Sequence, residues 1–251
     1  MMFLQFFLWG AWFVVLGPYM SARGMSGVSI GNAYSTAPVG AILAPLFLGI
    51  VADRLFASQK VMGVLHVIGG LLVAAAPTVA AKYTDSTWPF IGVLLAHMIC
   101  YMPTLGLSNT VAFNAMSNPE KQFPVVRVWG TIGWIVAGFI VGYAAKQLVP
   151  AQADEAATEL ARQASPHFFY IAGGSGVLLG LLSFAMPHTP PPLKGKPVNV
   201  GSLLGVDALS LLKDRSFAVF IVCSLLICIP LAAYYSFAGV YAGAAGLTNI
   251  P

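Results

Sequence analysis

The chain has 251 residues, of which 58% are hydrophobic and 8% charged, with a mean hydropathy of +0.83. Soluble domains carry about 25% charged residues, so this composition excludes that class and points to an all-α integral membrane protein. The formal net charge of +4 comes from Lys and Arg set singly between apolar runs. That pattern excludes a nucleic-acid surface and fits loops lying against an anionic bilayer.

Seven segments approach the roughly 20 apolar residues that a bilayer crossing needs. They are expected at 1–20, 29–51, 61–81, 90–112, 125–149, 168–186 and 217–239. The first begins without a basic leader or a small-residue cleavage site, so no cleavable signal is expected. Cys100, Cys223 and Cys228 all lie in apolar runs, without metal spacing or a disulfide framework, and are expected to act as small packing residues. The connection 150–167 carries Asp154, Glu155, Glu159 and Arg162 among alanines and predicts a short surface helix with a solvated face. The connection 188–216 opens with HTPPPLKGKP, which cannot start a helix, and ends in SLLGVDALSLLKDR, an amphipathic stretch suited to the membrane surface.

Six spans, a basic linker and a fresh span place a repeat boundary near residue 200. The expected organisation is a six-helix bundle over 1–187, a cytoplasmic linker over 188–216, and a seventh helix opening a second half over 217–251. Loops on the side of the N-terminus hold seven basic residues: Arg54, Lys60, Lys121, Lys194, Lys196, Lys213 and Arg215. The opposite loops hold four, Arg23, Lys82, Lys146 and Arg162, so the N-terminus and the linker are expected in the cytoplasm.

The stretch 123–134, FPVVRVWGTIGW, carries the only charge inside the fifth apolar segment, Arg127. Helical spacing puts Arg127, Thr131 and Trp134 on one face, while Gly130, Gly133, Ala137, Gly138 and Gly142 let a neighbouring helix come close. A guanidinium at this depth either faces a watery cavity or a polar partner, or snorkels to the headgroups. The first reading makes this face one wall of a polar site. Other side chains with the mixture of hydrogen-bonding groups and aromatic planes that such a site needs are Trp9, Tyr34, Tyr101, Asn109, Tyr234 and Tyr235. Taken alone, each is more often an interfacial anchor or a satisfied core residue. His66 and His97 can relay protons, or simply bond a neighbouring helix. No H-E-x-x-H set and no Ser or Cys with a base beside it is evident, so neither an enzyme nor a metal or other cofactor is expected.

GIVADRLFASQK, at 49–60, resembles the signature loop of the major facilitator superfamily, with Gly49, Ala52, Asp53 and Arg54 in register. Phe56 replaces the second glycine of that signature, and the basic residue is delayed to Lys60. In such a loop Gly49 permits close helix approach, and Asp53 can latch one conformation by binding a helix N-terminus or an arginine. The resemblance lengthens when LQFFLWGAWFVVLGPYM, IGNAYS, YMPTLGLSNT, FPVVRVWGTIGW and LLGVDALSLLK are taken in order. Together these blocks resemble the nucleoside:proton symporter family of that superfamily over essentially the whole chain.

The resemblance implies two six-helix halves around a central cavity, with nucleoside uptake driven by a proton gradient. The present chain would supply the first half and helix seven, and the C-terminal half would be missing. The alternatives are a transporter for a sugar or nucleobase, or an inactive fragment. The family's substrate face on helix five falls on Arg127 and Thr131, with the next aromatic at Trp134, where relatives can carry phenylalanine. Positions that bear amides on helix seven of well-known bacterial members fall at Ala232 and Tyr235. Tyrosine can still bond and stack, whereas alanine cannot replace an amide, which leaves substrate choice open. Since no Asp or Glu lies deep in the seven spans, a carboxylate that carries the coupled proton is expected beyond Pro251.

Overall fold

A computed structural model describes residues 1–194 and 206–246, without the side chains of residues 46, 47, 49, 50 and 206–208. Among these residues all regular structure is helical. The first apolar run is two helices, α1 (Met2–Phe13) and α2 (Leu16–Ala22), rather than one. Pro18 explains the break, since it has no N–H to give the carbonyl four residues back, at Val14. The next helix, α3 (Gly27–Phe47), is capped by Ser26, whose hydroxyl accepts from the Ser29 amide at 3.2 Å.

Leu48–Leu55 continues α3 as a π-helix, so the GIVADR signature is wound rather than looped. Then come α4 (Ser58–Lys82), α5 (Trp88–Asn114) and α6 (Pro119–Leu148). The Asn118 side chain caps α6 by accepting from the Lys121 amide at 3.3 Å, and Pro119 follows, so the helix starts six residues before the expected 125. The predicted surface helix forms as α7 (Glu155–Gln163), with the Asp154 carboxylate accepting from the Ala156 amide at 3.0 Å. It is followed by α8 (His167–Ser183), a 3-10 helix at Val206–Lys213 and α9 (Arg215–Ala244). The first part of LLGVDALSLLK, and the rest of the linker over 195–205, lies outside the described residues.

Among the described residues, six stretches are long and apolar enough to cross a membrane: Met2–Ala22, Ser58–Lys82, Trp88–Asn114, Pro119–Leu148, Glu155–Ser183 and Arg215–Ala244. The segment expected at 29–51 is helical in α3 but stands outside that group, because Ser29, Asn32, Tyr34, Ser35 and Thr36 dilute its apolar content. The helices pack as α4 on α5 and α8, α1 on α6 and α8, and α3 on α5. Between helices in lipid there is little hydrophobic driving force, so close van der Waals fit must hold the bundle. Gly173 shows how close: an added Cβ would stand 2.7 Å from the Gly70 carbonyl oxygen of α4.

At one end Tyr19, Phe168 and Phe169 interlock, with the tyrosine ring 5.3 Å from each phenylalanine. At the other end the start of the linker is strapped to the signature segment. Leu193 N–H donates to the Asp53 carbonyl at 2.8 Å, and Thr189 N–H donates to the Gln59 side chain at 3.0 Å.

Candidate functional site

The face of α6 that carries Arg127 meets α1. Close approach is made possible by Gly130, where an added Cβ would stand 2.7 Å from the Phe6 ring, and by Gly133, which lies on the Phe3 carbonyl. Arg127 therefore does not reach away along the helix axis. Its guanidinium lies over the Phe6 ring at 4.0 Å from the centroid, a cation–π contact. One turn on, Thr131 is exposed, and its hydroxyl has no protein partner among the described residues.

Trp134 stands edge-on to Trp9 at 5.6 Å and to Tyr235 at 6.0 Å. Trp9 also meets Phe13 at 5.5 Å, and Phe13 meets Tyr34 at 5.0 Å and Tyr235 at 6.0 Å. The structure thus joins Arg127, Thr131, Trp134, Trp9 and Tyr235 into one wall built from α1, α6 and α9. It is an open wall: Arg127 and Thr131 are exposed, and Trp9, Trp134 and Tyr235 are half-buried. Such a surface offers a delocalised cation, a hydroxyl and several π faces to a solute.

Tyr101 lies behind this wall. It packs on Trp9 at 5.6 Å, but only 2% of it is exposed and its hydroxyl donates to the Gln5 carbonyl at 2.7 Å. Tyr34 is similarly committed, donating to the Phe13 carbonyl at 2.7 Å. Asn109 is half-buried and sits roughly 12 Å along α5 from Tyr101. Tyr234 is exposed beside Tyr235, and Ala232 is exposed, its carbonyl accepting from the Ser236 hydroxyl at 2.8 Å.

His66 and His97 are core residues. Gln5 Nε2 donates to Thr104 Oγ1 at 2.8 Å, which leaves Gln5 Oε1 to accept from His66 Nε2 at 2.8 Å. His97 Nδ1 donates to the Gly69 carbonyl at 2.8 Å, and its Nε2 is buried without a partner. No group of three His, Cys, Asp or Glu that could hold a metal occurs among the described residues.

Of the signature residues, Asp53 and Arg54 are half-buried in the π-helix, and Gly49 lies within the same helix. Burial pushes the Asp53 carboxyl above the ordinary carboxylate range, and the neighbouring Arg54 guanidinium pulls it part of the way back.

Sequence reasoning missed two residues. Phe6 supplies the ring beneath Arg127, and Gln5 is the hub of the buried polar network. The signal for Gln5 was available, since it is the sole amide in the first apolar run.

The wall can be set beside known proteins. Two crystal structures of the nucleoside transporter NupG, one of them a mutant, superpose with TM-scores of 0.78 and 0.74 at 31% and 32% identity. Both matches cover 96% of this chain, and 56% and 55% of those chains. The fold is therefore that of a major-facilitator-type helical bundle in a multi-pass membrane protein. The candidate nucleoside transporter YegT of Escherichia coli (strain K12) is 41% identical over 99% of this chain and 55% of its own length. The nucleoside permease NupG of the same organism is 34% identical over 90% of this chain and 50% of its own length. The chain thus spans about half the length of the relatives it matches. The family model described as "Nucleoside H+ symporter" matches residues 1–248, and with that reach the chain belongs to the nucleoside:proton symporter family.

Proposed function

We propose that the whole protein takes up nucleosides together with protons across the cytoplasmic membrane by alternating access. The reading rests above all on the wall of Arg127, Thr131, Trp9, Trp134 and Tyr235, where three helices present a cation, a hydroxyl and aromatic planes on one open face. A nucleoside has a flat base that stacks on indole and phenol rings and ribose hydroxyls that bond to a guanidinium or a threonine. In this reading residues 1–187 form the first bundle, 188–216 a cytoplasmic linker, and 217–251 the start of a second bundle that closes the cavity from the other side. Rocking of the two bundles exposes the wall to each face of the membrane in turn. The signature segment, with Gly49, Asp53 and Arg54, latches one of the two states.

The test is uptake of labelled uridine and adenosine by cells expressing the full-length protein, at two external pH values. Nucleosides, free bases and sugars serve as unlabelled competitors. Competition by nucleosides alone, with faster uptake at the lower external pH, is expected; competition by sugars or bases with equal strength overturns the nucleoside assignment. Arg127→Ala is expected to lower kcat/KM about 10- to 100-fold, the worth of a hydrogen bond to a charged group. Unchanged uptake in a well-expressed variant would remove Arg127 from the site.

A further inference from the structure

A concave site lies away from the wall, at the end of the bundle where α2, α6, α7 and α8 converge. It is a cavity of about 420 Å³, within the size range of small-molecule sites. Its lining includes Phe139, Tyr143, Lys146, Glu159 and Arg162. Two cations and one carboxylate leave it with a net positive charge. The carboxylate is engaged within its own helix, accepting from Gln163 Nε2 at 3.0 Å. Among the described residues Arg162 uses only Nε, which donates to the Val149 carbonyl at 3.5 Å, so its terminal nitrogens have no partner there. Lys146 is exposed, and among the described residues its ammonium has no partner.

Apart from Gln163, which is bonded to Glu159, and His167, whose Nε2 donates to the Val141 carbonyl, the rest of the lining is mainly apolar, and it does not stop at the cavity. Phe139 and Tyr143 are 74% and 67% exposed, so the cavity opens along the outer face of α6. Toward the membrane interior that face continues through Ile135, Ile132 and Val128, all exposed, at steps of three and four residues that keep one strip of the helix surface. A pair of unpaired cations thus stands at the head of an uninterrupted apolar strip on a membrane-spanning helix. A soluble anion would use the cations and leave the strip bare. An uncharged lipid would use the strip and leave the cations bare.

We propose that this cavity binds one anionic glycerophospholipid. Its phosphate sits between Lys146 and Arg162, and an acyl chain lies along Phe139, Ile135 and Ile132. The lipid seats α7 against α6 and covers a face that the described residues leave open.

Native mass spectrometry of the purified full-length protein tests this, with phosphatidylglycerol and phosphatidylcholine of matched chains as probes. The expected result is preferential retention of phosphatidylglycerol. Lys146→Gln and Arg162→Gln should each cost about fivefold, the worth of one cation near an anionic headgroup. The double variant should show no preference, Lys146→Arg should keep it, and Phe139→Ser should weaken both lipids alike. Monodisperse gel filtration of each variant separates a lost site from a lost fold. The proposal is overturned if the preference survives in the double variant. Displacement of the lipid by water-soluble glycerol phosphate at equal concentration also overturns it, because the site would then be one for free anions.

Discussion

Tyr101 shows what burial does to a candidate that looks attractive in the sequence. Its ring supports Trp9, but its hydroxyl is spent on the Gln5 carbonyl and cannot also serve a solute. Tyr101→Phe is therefore expected to leave the KM for nucleoside within about twofold while costing about 1 kcal/mol of stability, the net worth of one hydrogen bond. A large rise in KM with unchanged stability would return the hydroxyl to the site. Gln5→Leu is the stronger change. It leaves both Thr104 and His66 short of a partner in a buried setting, where each unsatisfied group costs about 1–3 kcal/mol. The expected readout is a marked drop in the Tm of detergent-solubilised protein, carried by side chains buried behind the wall rather than on it. Arg127 was legible because a lone charge in an apolar run demands an explanation. Phe6, its partner, was not, since one phenylalanine among many in α1 carries no mark of which way it faces.

The elements themselves were read almost in place, because length and apolar content decide them locally. What the sequence leaves out is how a span is interrupted. Pro18 was visible, but only the structure shows that it splits the first run into α1 and α2. The signature segment was expected as a loop, and it continues α3 as a π-helix strapped by Leu193, while Thr189 holds the start of α4 beside it. Asp53 sits in that element with its carboxyl pushed up by burial. A carboxyl whose folded-state pKa is raised keeps its proton longer folded than unfolded. Stability is then lost as pH rises from the ordinary carboxylate range through the folded value, and stays lost above it. Asp53→Asn should accordingly raise the Tm at pH 7, with the gain fading as pH falls below about 4, where the unfolded carboxyl is protonated too. The effect is small, since the group is only half-buried and the neighbouring Arg54 offsets part of the shift. A variant less stable at pH 7 would mean instead that the ionised carboxylate holds the segment in place.

At the scale of the molecule, two helices present broad apolar faces outward. The core of α1, α4, α5 and α8 is closely packed, whereas Ile132, Ile135, Phe139 and Tyr143 of α6 and Phe220, Leu225, Ile227 and Tyr241 of α9 all face outward. Apolar faces of that extent need lipid or a second helical bundle against them. α9 touches the rest along a narrow edge, where Gly17 lies close to the Ser236 carbonyl and Tyr235 reaches Trp134. The wall and the lipid-type cavity fall toward different ends of α6. Arg127 is roughly 12 Å from the start of the helix and Lys146 is in its last turn, some 30 Å beyond. The orientation proposed from the distribution of Lys and Arg assigns these ends to opposite sides of the membrane: the start of α6 to the cytoplasm and α7 to the outside. Single cysteines at exposed positions decide it, in full-length protein whose Cys100, Cys223 and Cys228 are replaced by alanine. With Ala153→Cys, at the α7 end, a membrane-impermeant maleimide should label intact cells. With Lys121→Cys, at the α6 start, it should label only after permeabilisation. The reverse pattern would invert the molecule, placing the signature segment and its strap outside.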